Sequence, residues 1–483
     1  MFRRFIRTSI ALPFWLCGVC LAGEPSLDLG NLMCVGDSIT HGFRSSSYRW
    51  PLHKTLVDNG VSFAAVGVHA GNAFREGSVP AGTPYAGVLF NNRHSAMSSE
   101  RAYEVSGRNN ASRRLGHSNI RQWLGLDPGY RGPYCIDTAR ELPDTFVLMI
   151  GTNDTFSDYG RRGGFGQEPH LKEVMQNLLG FRQEDGLYRG GDMERIICAM
   201  REANPACRIL VLTLPSWHDS TPHSHSRADF LALRLLNAAL VCWAGQHQVQ
   251  VVDSNVGLVD LTREDKPGVA ESAFFSSRDG LHPTPQGDLI IAESVALALG
   301  VPGRTSGLPR RDAAAFELVA GAADAAANWS IPDAGWAGLD AARGFTLALR
   351  CQVGNGAENG WRRKQGLEVS FCKPEERIRG ELTISESGII WQGGQLLYSA
   401  DMSANAEEIR IAWHPGEPEA GIARGFYVWL GNRLIGEALP PDTEEDEGWL
   451  EGACAAPVDA GVPVRLESFH AAQGAYAPPA SAH

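Results

Sequence analysis

Positive charge is in short supply in this chain. Its 43 lysines and arginines are outnumbered by 55 aspartates and glutamates, a net charge of -12. A protein that grips a nucleic-acid backbone needs clustered basic side chains, so no nucleic-acid partner is expected. Cysteine pairing is also scarce. Two of the ten cysteines fall in the first 23 residues, and none of the other eight forms a Cys-x-x-Cys pair, which argues against a zinc ribbon. Cys198 and Cys207, on either side of a short helix-to-strand connection, are the easiest pair to bridge in an exported protein, but their spacing does not decide it, and free buried thiols are the plainer reading. Long apolar runs are few. The one that opens the chain, "TSIALPFWLCGVCLA", follows the basic "MFRRFIR" and ends in small residues at Ala22-Gly23. That is the layout of a secretory signal peptide, residues 1–23, with a retained anchor as the alternative. The run is shorter than the roughly 20 residues that cross a bilayer as a helix. No later run reads as long enough to span, so a secreted or periplasmic protein without a stable membrane span is expected. No internal repeat is apparent. "WHDSTPHSHSR" gathers His218, Asp219, His223 and His225 but lacks a complete ligand set, so it reads as a polar loop, and no metal or cofactor is expected.

What the chain does contain is ordinary globular material: 43% hydrophobic and 20% charged residues over 483 positions. One core rarely grows past about 250–300 residues, so two domains are predicted. From about residue 28 to 300, short apolar runs such as "LMCVG", "TFVLMIG", "CRILVLTLP" and "VQVVDSN" alternate with helical patterns such as "YRWPLHKTLVDNG", "MERIICAMREANP" and "RADFLALRLLNAALVCWAGQH". Continuous apolar strands alternating with helices predict a mostly parallel sheet covered on both faces, an α/β domain over 24–303. Two stretches, 68–112 and 155–190, read as long irregular loops bordering a binding surface. "VPGRTSGLPRRD" reads as a linker, placed at 304–311. Beyond it, alternating strands separated by Gly, Pro and Asn turns predict an all-β sandwich over 312–475 and a loose tail. Seven tryptophans gather there, among them Trp391, Trp413 and Trp429, and read as sandwich core before sugar platforms.

The chemistry-bearing residues lie in the first of these regions. In "CVGDSITHGF", Ser38 follows directly on the first predicted strand. Ligands of open parallel sheets gather beyond the carboxyl ends of the strands. A serine hydroxyl there needs a base to take its proton, a group to orient that base and donors for an oxyanion. "RDGLHPTPQGD" offers the base and its partner: Asp279 and His282, three apart, lie on one side of a turn, so that Asp279 can fix the tautomer of His282. "IGTND" offers the side-chain amide of Asn153 after the turn at Gly151, and "RRLGHSNIRQWLG" offers the backbone N–H of Gly116 near a helix start at Ser118.

Gly-Asp-Ser at 36–38, Gly116, Gly-Thr-Asn-Asp at 151–154 and Asp-Gly-Leu-His at 279–282, in that order, resemble the SGNH hydrolases, the GDSL esterase/lipase superfamily, with a carbohydrate-esterase-like character in the "YRWPL" stretch. The resemblance covers about residues 28–300. It implies a three-layer α/β/α flavodoxin-like fold, with Ser38 as nucleophile, His282 as base, Asp279 as its partner, and an oxyanion hole from the Ser38 and Gly116 amides and the Asn153 side chain. One block departs: many carbohydrate-active members read Glu-Gly-His-Ser-Gly where this chain has Leu115-Gly116-His117-Ser118-Asn119. The stretch "EEIRIAWH…GFYVWLGNRLIGE" is similar to concanavalin-like or laminin-G-like sandwiches, which implies a carbohydrate- or protein-binding module. The expectation is an exported serine esterase that removes O-acyl, above all O-acetyl, groups from carbohydrate. Its rivals are a lipid esterase or lysophospholipase, an acyltransferase using the same triad, and a non-catalytic glycan-binding protein.

Overall fold

The computed structural model describes residues 27–43, 47–73, 78–108, 119–130, 132–156, 165–184, 187–219, 225–261, 263, 265–266, 268–320, 323–324, 329–330, 339–353, 366–373, 378–385, 387–402, 405–420, 422–441, 452–457 and 464–479. The expected signal segment, Gly116, His117, Ser118, His223 and Trp336 lie outside the described residues.

Seven strands build the first sheet: β1 (Asp28–Gly36), β2 (Ser62–Ala65), β3 (His69–Ala70), β4 (Arg93–Ala96), β5 (Thr145–Met149), β6 (Arg208–Leu212) and β7 (Gln250–Val252). Their order is β7-β6-β5-β1-β4-β3, with β2 also beside β1, and every pair is parallel except β3 with β4. The central strands read as unbroken apolar runs because both faces are covered. Leu32, Cys34, Val147, Met149, Leu210 and Leu212 enter one core, and their neighbours Met33, Val35, Phe146, Leu148, Ile209 and Val211 enter the other. Helices α1 (Ser38–His41) and α2 (Arg49–Asp58) follow β1. Then come α3 (Ala102–Ser106), α4 (Ile120–Trp123), α5 (Thr152–Phe156), α6 (Glu168–Leu178), α7 (Asp192–Ala203), α8 (Arg227–Gln246) and α9 (Pro285–Ala298). Leu52 and Leu56 of α2 and Ile290, Ile291 and Val295 of α9 close the first core; Ile196 of α7 and Leu233, Leu236 and Trp243 of α8 close the second. This is the predicted three-layer α/β/α arrangement.

Several expectations need correction. The stretches read as irregular contain β4, which pairs with β1 in the central sheet, and α6, which buries His170, Val174 and Leu178 at four-residue spacing. Helix α4 begins at Ile120, where Asn119 caps it by accepting from the N–H groups of Arg121 and Gln122 at 3.0 and 3.2 Å. Of the two readings left open for Cys198 and Cys207, the structure has the free thiols, although neither is buried. Helix α8 is long and apolar enough to cross a membrane, against the reading that no later run is. It is a core helix here: Phe230, Leu233, Leu236, Leu240 and Trp243 face the sheet.

The second region is a sandwich. Its strands are β8 (Glu317–Ala320), β9 (Ala323–Asp324), β10 (Trp329–Ser330), β11 (Phe345–Val353), β12 (Gly366–Lys373), β13 (Ile378–Ser385), β14 (Gly388–Trp391), β15 (Gln395–Ser399), β16 (Glu407–His414), β17 (Gly425–Leu430), β18 (Arg433–Leu439), β19 (Gly452–Pro457) and β20 (Val464–Gln473). One antiparallel sheet runs β8-β20-β11-β16-β17-β18, with β9 also on β20, and the other runs β10-β19-β12-β13-β14-β15. Gly431-Asn432 makes the predicted two-residue turn between β17 and β18. Phe371 and Trp391 of one sheet meet Phe426 of the other with ring centroids 4.9 and 5.2 Å apart, and Trp413 lies 4.7 Å from the same ring. Trp391, Trp413 and Trp429 are core residues, each no more than 2% exposed.

The two regions share one continuous apolar core that runs from β1 through α2 and α9 into both sandwich sheets. The segment expected to be a linker is packed between them. Arg304, 1% exposed, donates to both carboxylate oxygens of Glu437 on β18, and Lys54 of α2 reaches the same carboxylate at 3.0 Å. Asp58 of α2 accepts from the N–H groups of Thr305 and Ser306 at 3.1 and 2.6 Å. A Cβ on Gly303 would lie 1.4 Å from the carbonyl oxygen of Asn432, so the backbones touch there and only glycine fits. The described part of the tail is packed as well: Ala477 is fully buried, and its carbonyl accepts from buried Arg410 at 2.7 Å. Burial works to raise the pKa of Glu437, but the charges of Arg304 and Lys54 hold it down at about 2. A depressed carboxylate contributes stability that is present above its ordinary 4.5 and lost as pH falls toward 2. Glu437→Gln leaves the buried guanidinium with the Asp58 carboxylate, 3.6 Å from its Nε, as its remaining charged partner, and is expected to cost about 3 kcal/mol at pH 7. Thermal melts should show the gap between parent and variant narrowing from pH 6 to pH 3; a gap independent of pH would contradict the ion pair's role.

Candidate active site

Ser38 stands at the carboxyl end of β1, the central position of the sheet, as the first residue of α1. The preceding Gly36 lets this turn form: a Cβ there would sit 2.3 Å from the carbonyl oxygen of Met149 on β5. Asp37 caps α1, its Oδ1 accepting from the Ile39 N–H at 3.1 Å. From α2, buried Arg49 donates to the carbonyls of Thr40 and His41 at 2.8 and 3.1 Å. The serine turn is therefore gripped at both ends.

The second half of the site arrives 244 residues later. His282 Nε2 lies 2.8 Å from Ser38 Oγ, and His282 Nδ1 lies 3.0 Å from Asp279 Oδ2. Asp279 Oδ1 also accepts from the N–H groups of Leu281 and His282, at 3.0 and 3.1 Å, which closes the turn. Burial pushes the Asp279 carboxyl up, but the bond to His282, its charge and these two N–H donors bring it down to about 2, so it is a carboxylate at any ordinary pH. A carboxylate on Nδ1 fixes the proton there and leaves Nε2 as the acceptor that faces the serine hydroxyl. The half-buried ring of Phe43 stacks on His282, centroids 4.4 Å apart and 29° from parallel. His218 supports the turn from outside, its N–H donating to the Gly280 carbonyl at 2.7 Å.

Three of the expected residues thus come together: Ser38, His282 and Asp279. Asn153 is the second residue of α5, just past the end of β5, and its side-chain amide donates to the Glu100 carbonyl at 2.8 Å. One of its two amide hydrogens is used in that bond. Asp37, Phe43 and Arg49 went unread in the sequence. The signal for Arg49 was a basic residue in the first turn of a helix, only a few residues after the serine turn. Among the described residues no group of three His, Cys, Asp or Glu side chains is arranged to hold a metal; His225 stacks on Trp217, and Asp219 pairs with Lys266. A cavity of about 750 Å³ between α8 and the sandwich is not lined by the site residues.

With that geometry in place, the comparison with known families becomes decisive. Residues 34–290 match the model of the GDSL-like Lipase/Acylhydrolase family. The chain belongs to that family. It has the SGNH/GDSL fold followed by a β-rich region. Similar solved structures include a carbohydrate esterase family 3 protein from Talaromyces cellulolyticus, at 18% identity and a TM-score of 0.34, covering 56% of this chain and 96% of that one. A family 3 carbohydrate esterase from Clostridium thermocellum is 18% identical, with a TM-score of 0.31 and coverage of 56% and 94%. A putative GDSL-like lipase from Parabacteroides merdae is 14% identical, with a TM-score of 0.34 and coverage of 57% and 97%. No curated protein matches the chain.

Two further carboxyls lie buried behind the serine of this GDSL-family site. Burial raises Asp37 to about 6, against the bond from Ile39 and the nearby His282. Burial raises Asp154 to about 7, against its 3.0 Å bond from the Ala102 N–H; Asp192 and Asp37 push it further up. A carboxyl whose folded pKa lies above its ordinary 3.8 costs stability increasingly as pH rises from about 4 to about 7, then no further. Asp154→Asn removes that cost and keeps an acceptor for Ala102. The melting temperature of the variant minus that of the parent is expected to be more positive at pH 8 than at pH 5; an equal or opposite difference would contradict the assignment.

Proposed function

We propose that this protein is an exported serine esterase that removes O-acyl groups, above all O-acetyl, from carbohydrate. The observation that carries the catalytic reading is the hydrogen-bonded line from Ser38 Oγ through His282 to Asp279, at 2.8 and 3.0 Å. Family membership sets the reaction class, an ester or acyl hydrolase. In this reading His282 takes the hydroxyl proton as Ser38 Oγ attacks the ester carbonyl. Asp279 holds the imidazole in orientation and stabilises the imidazolium. The oxyanion is met by the Ser38 amide, the Asn153 side chain and the Gly116 amide. His282 then returns the proton to the leaving alcohol, and water attacks the acyl-enzyme by the same route in reverse. The carbohydrate preference is favoured by the composition of residues 68–112 and 155–190, which are rich in Arg, Asn, Ser and His. A long acyl chain would call for an apolar groove instead.

The test is acetate release from a panel of O-acetylated glycans, with a short-chain and a long-chain aryl ester alongside. Ser38→Ala, expected to fold as the parent does, should lose at least about 10³-fold in kcat. Release from glycans by the parent alone supports the proposal. Turnover of the long-chain ester only would replace it with a lipid esterase, and unchanged activity in Ser38→Ala would overturn it.

A further inference from the structure

The residue four positions beyond His282 is Gln286, in the first turn of α9. Its side-chain amide carries two N–H groups, and both are used outside the hydrolase region. Gln286 Nε2 donates to the Leu397 carbonyl on β15 at 2.9 Å and to the Ile435 carbonyl on β18 at 2.6 Å. Strands β15 and β18 are edge strands, one from each sandwich sheet. An edge strand carries backbone carbonyls that its own sheet does not pair, and one side chain stitches both edges to the start of α9.

Between His282 and Gln286 the chain reads Pro-Thr-Pro. Two fixed φ angles leave little slack in this stretch. Thr284, the cap of α9, is itself tied down, its N–H donating to the Phe274 carbonyl at 2.9 Å and its hydroxyl to the Ala273 carbonyl at 3.0 Å. A short, stiff segment thus joins Gln286 to the imidazole.

The same edge strand reaches the other side of the histidine turn. Ser399, the last residue of β15, donates its N–H to the Gly257 carbonyl at 3.1 Å and its hydroxyl to the Val259 carbonyl. The chain of backbone bonds continues. The Glu271 N–H donates to Leu258 at 2.8 Å, the Ala270 N–H to Trp217 at 2.8 Å, and the His218 N–H to Gly280 at 2.7 Å, between Asp279 and His282. Strand β15 thus holds both flanks of the turn.

We propose that the C-terminal sandwich is a working part of the esterase site: its edge strand β15 sets the position of the His282 imidazole, and Gln286 is the positioning residue that transmits it. This rests on the esterase reading above. It assigns the sandwich a role in the reaction itself, whatever else its surface binds.

The test is Gln286→Met, close in shape and without the two donors, made in the full chain. Turnover of a short-chain aryl ester gives kcat and KM, and a melting curve gives stability. A third readout is the downfield proton resonance of the His282 Nδ1–Asp279 bond, which needs no turnover. A displaced base is expected to lower kcat by about 10- to 100-fold with KM within about twofold, and to shift or broaden that resonance well below the melting temperature. A lower melting temperature with kcat and the resonance unmoved would show that Gln286 only docks the regions and would overturn the proposal. Should Gln286→Met fail to fold, Ser399→Ala removes the hydroxyl bond to Val259, leaving the N–H bond to Gly257 in place, and is held to the same readouts, with a kcat loss of about threefold or more expected. A parent that hydrolyses no ester defeats the esterase reading, while the resonance still decides whether β15 positions the imidazole.

Discussion

Everything in this structure that bears on chemistry depends on one hydrogen bond, 2.8 Å long, between side chains 244 residues apart in the chain. A hydroxyl and an imidazole are useful to each other only within a few tenths of an ångström of that distance. Each must be held by something stiffer than a surface loop. On the serine side the stiffness comes from the middle of the parallel sheet, the Asp37 cap and the Arg49 guanidinium on two carbonyls of α1. On the histidine side it comes from the Asp279 turn, the Pro-Thr-Pro stretch and the start of α9.

The second requirement explains the rest of the chain. Helix α9 packs on the sheet with one face and against the sandwich with the other, so the apolar core continues unbroken from β1 to β20. The Arg304–Glu437 pair, the Asp58 carboxylate and the contact at Gly303 lock the same junction. Two separately built layers with a loose connector would leave the histidine turn supported from one side only. The carboxylates behind the serine belong to this logic as well. Asp37 and Asp154 are costly to bury, and each is spent on a backbone N–H, one in the serine turn and one in the Ala102 segment that Asn153 also fastens.

Much of this was legible in the sequence, and the remainder was hidden for a physical reason. Strands β1, β5 and β6 announce themselves because burial on both faces demands an unbroken apolar run. Ser38, Asp279 and His282 are legible only together: a serine at a strand end and an Asp three residues before a His are weak signals alone, and it is the order of the four blocks and the resemblance they carry that joins them. Strand β4, "RHSA", carries no apolar signal, since its pairing with β1 uses backbone groups and its side chains are mostly polar. Arg49, Gln286 and Arg410 escape for a similar reason. Each serves backbone carbonyl oxygens, those of Gln286 and Arg410 contributed by distant stretches, and a carbonyl leaves no mark on residue identity. The segment 304–311 looked like a linker by composition, whereas its burial depends on Glu437, more than a hundred residues away.

The most direct test of the account is covalent. A fluorophosphonate attacks only a serine whose proton an adjacent base can take, and it requires no knowledge of the natural substrate. Peptide mapping by mass spectrometry after labelling should place one adduct on the peptide that contains Ser38. That adduct should be absent from folded His282→Ala. An adduct on another serine, or equal labelling of parent and variant, would contradict the claim that His282 activates Ser38.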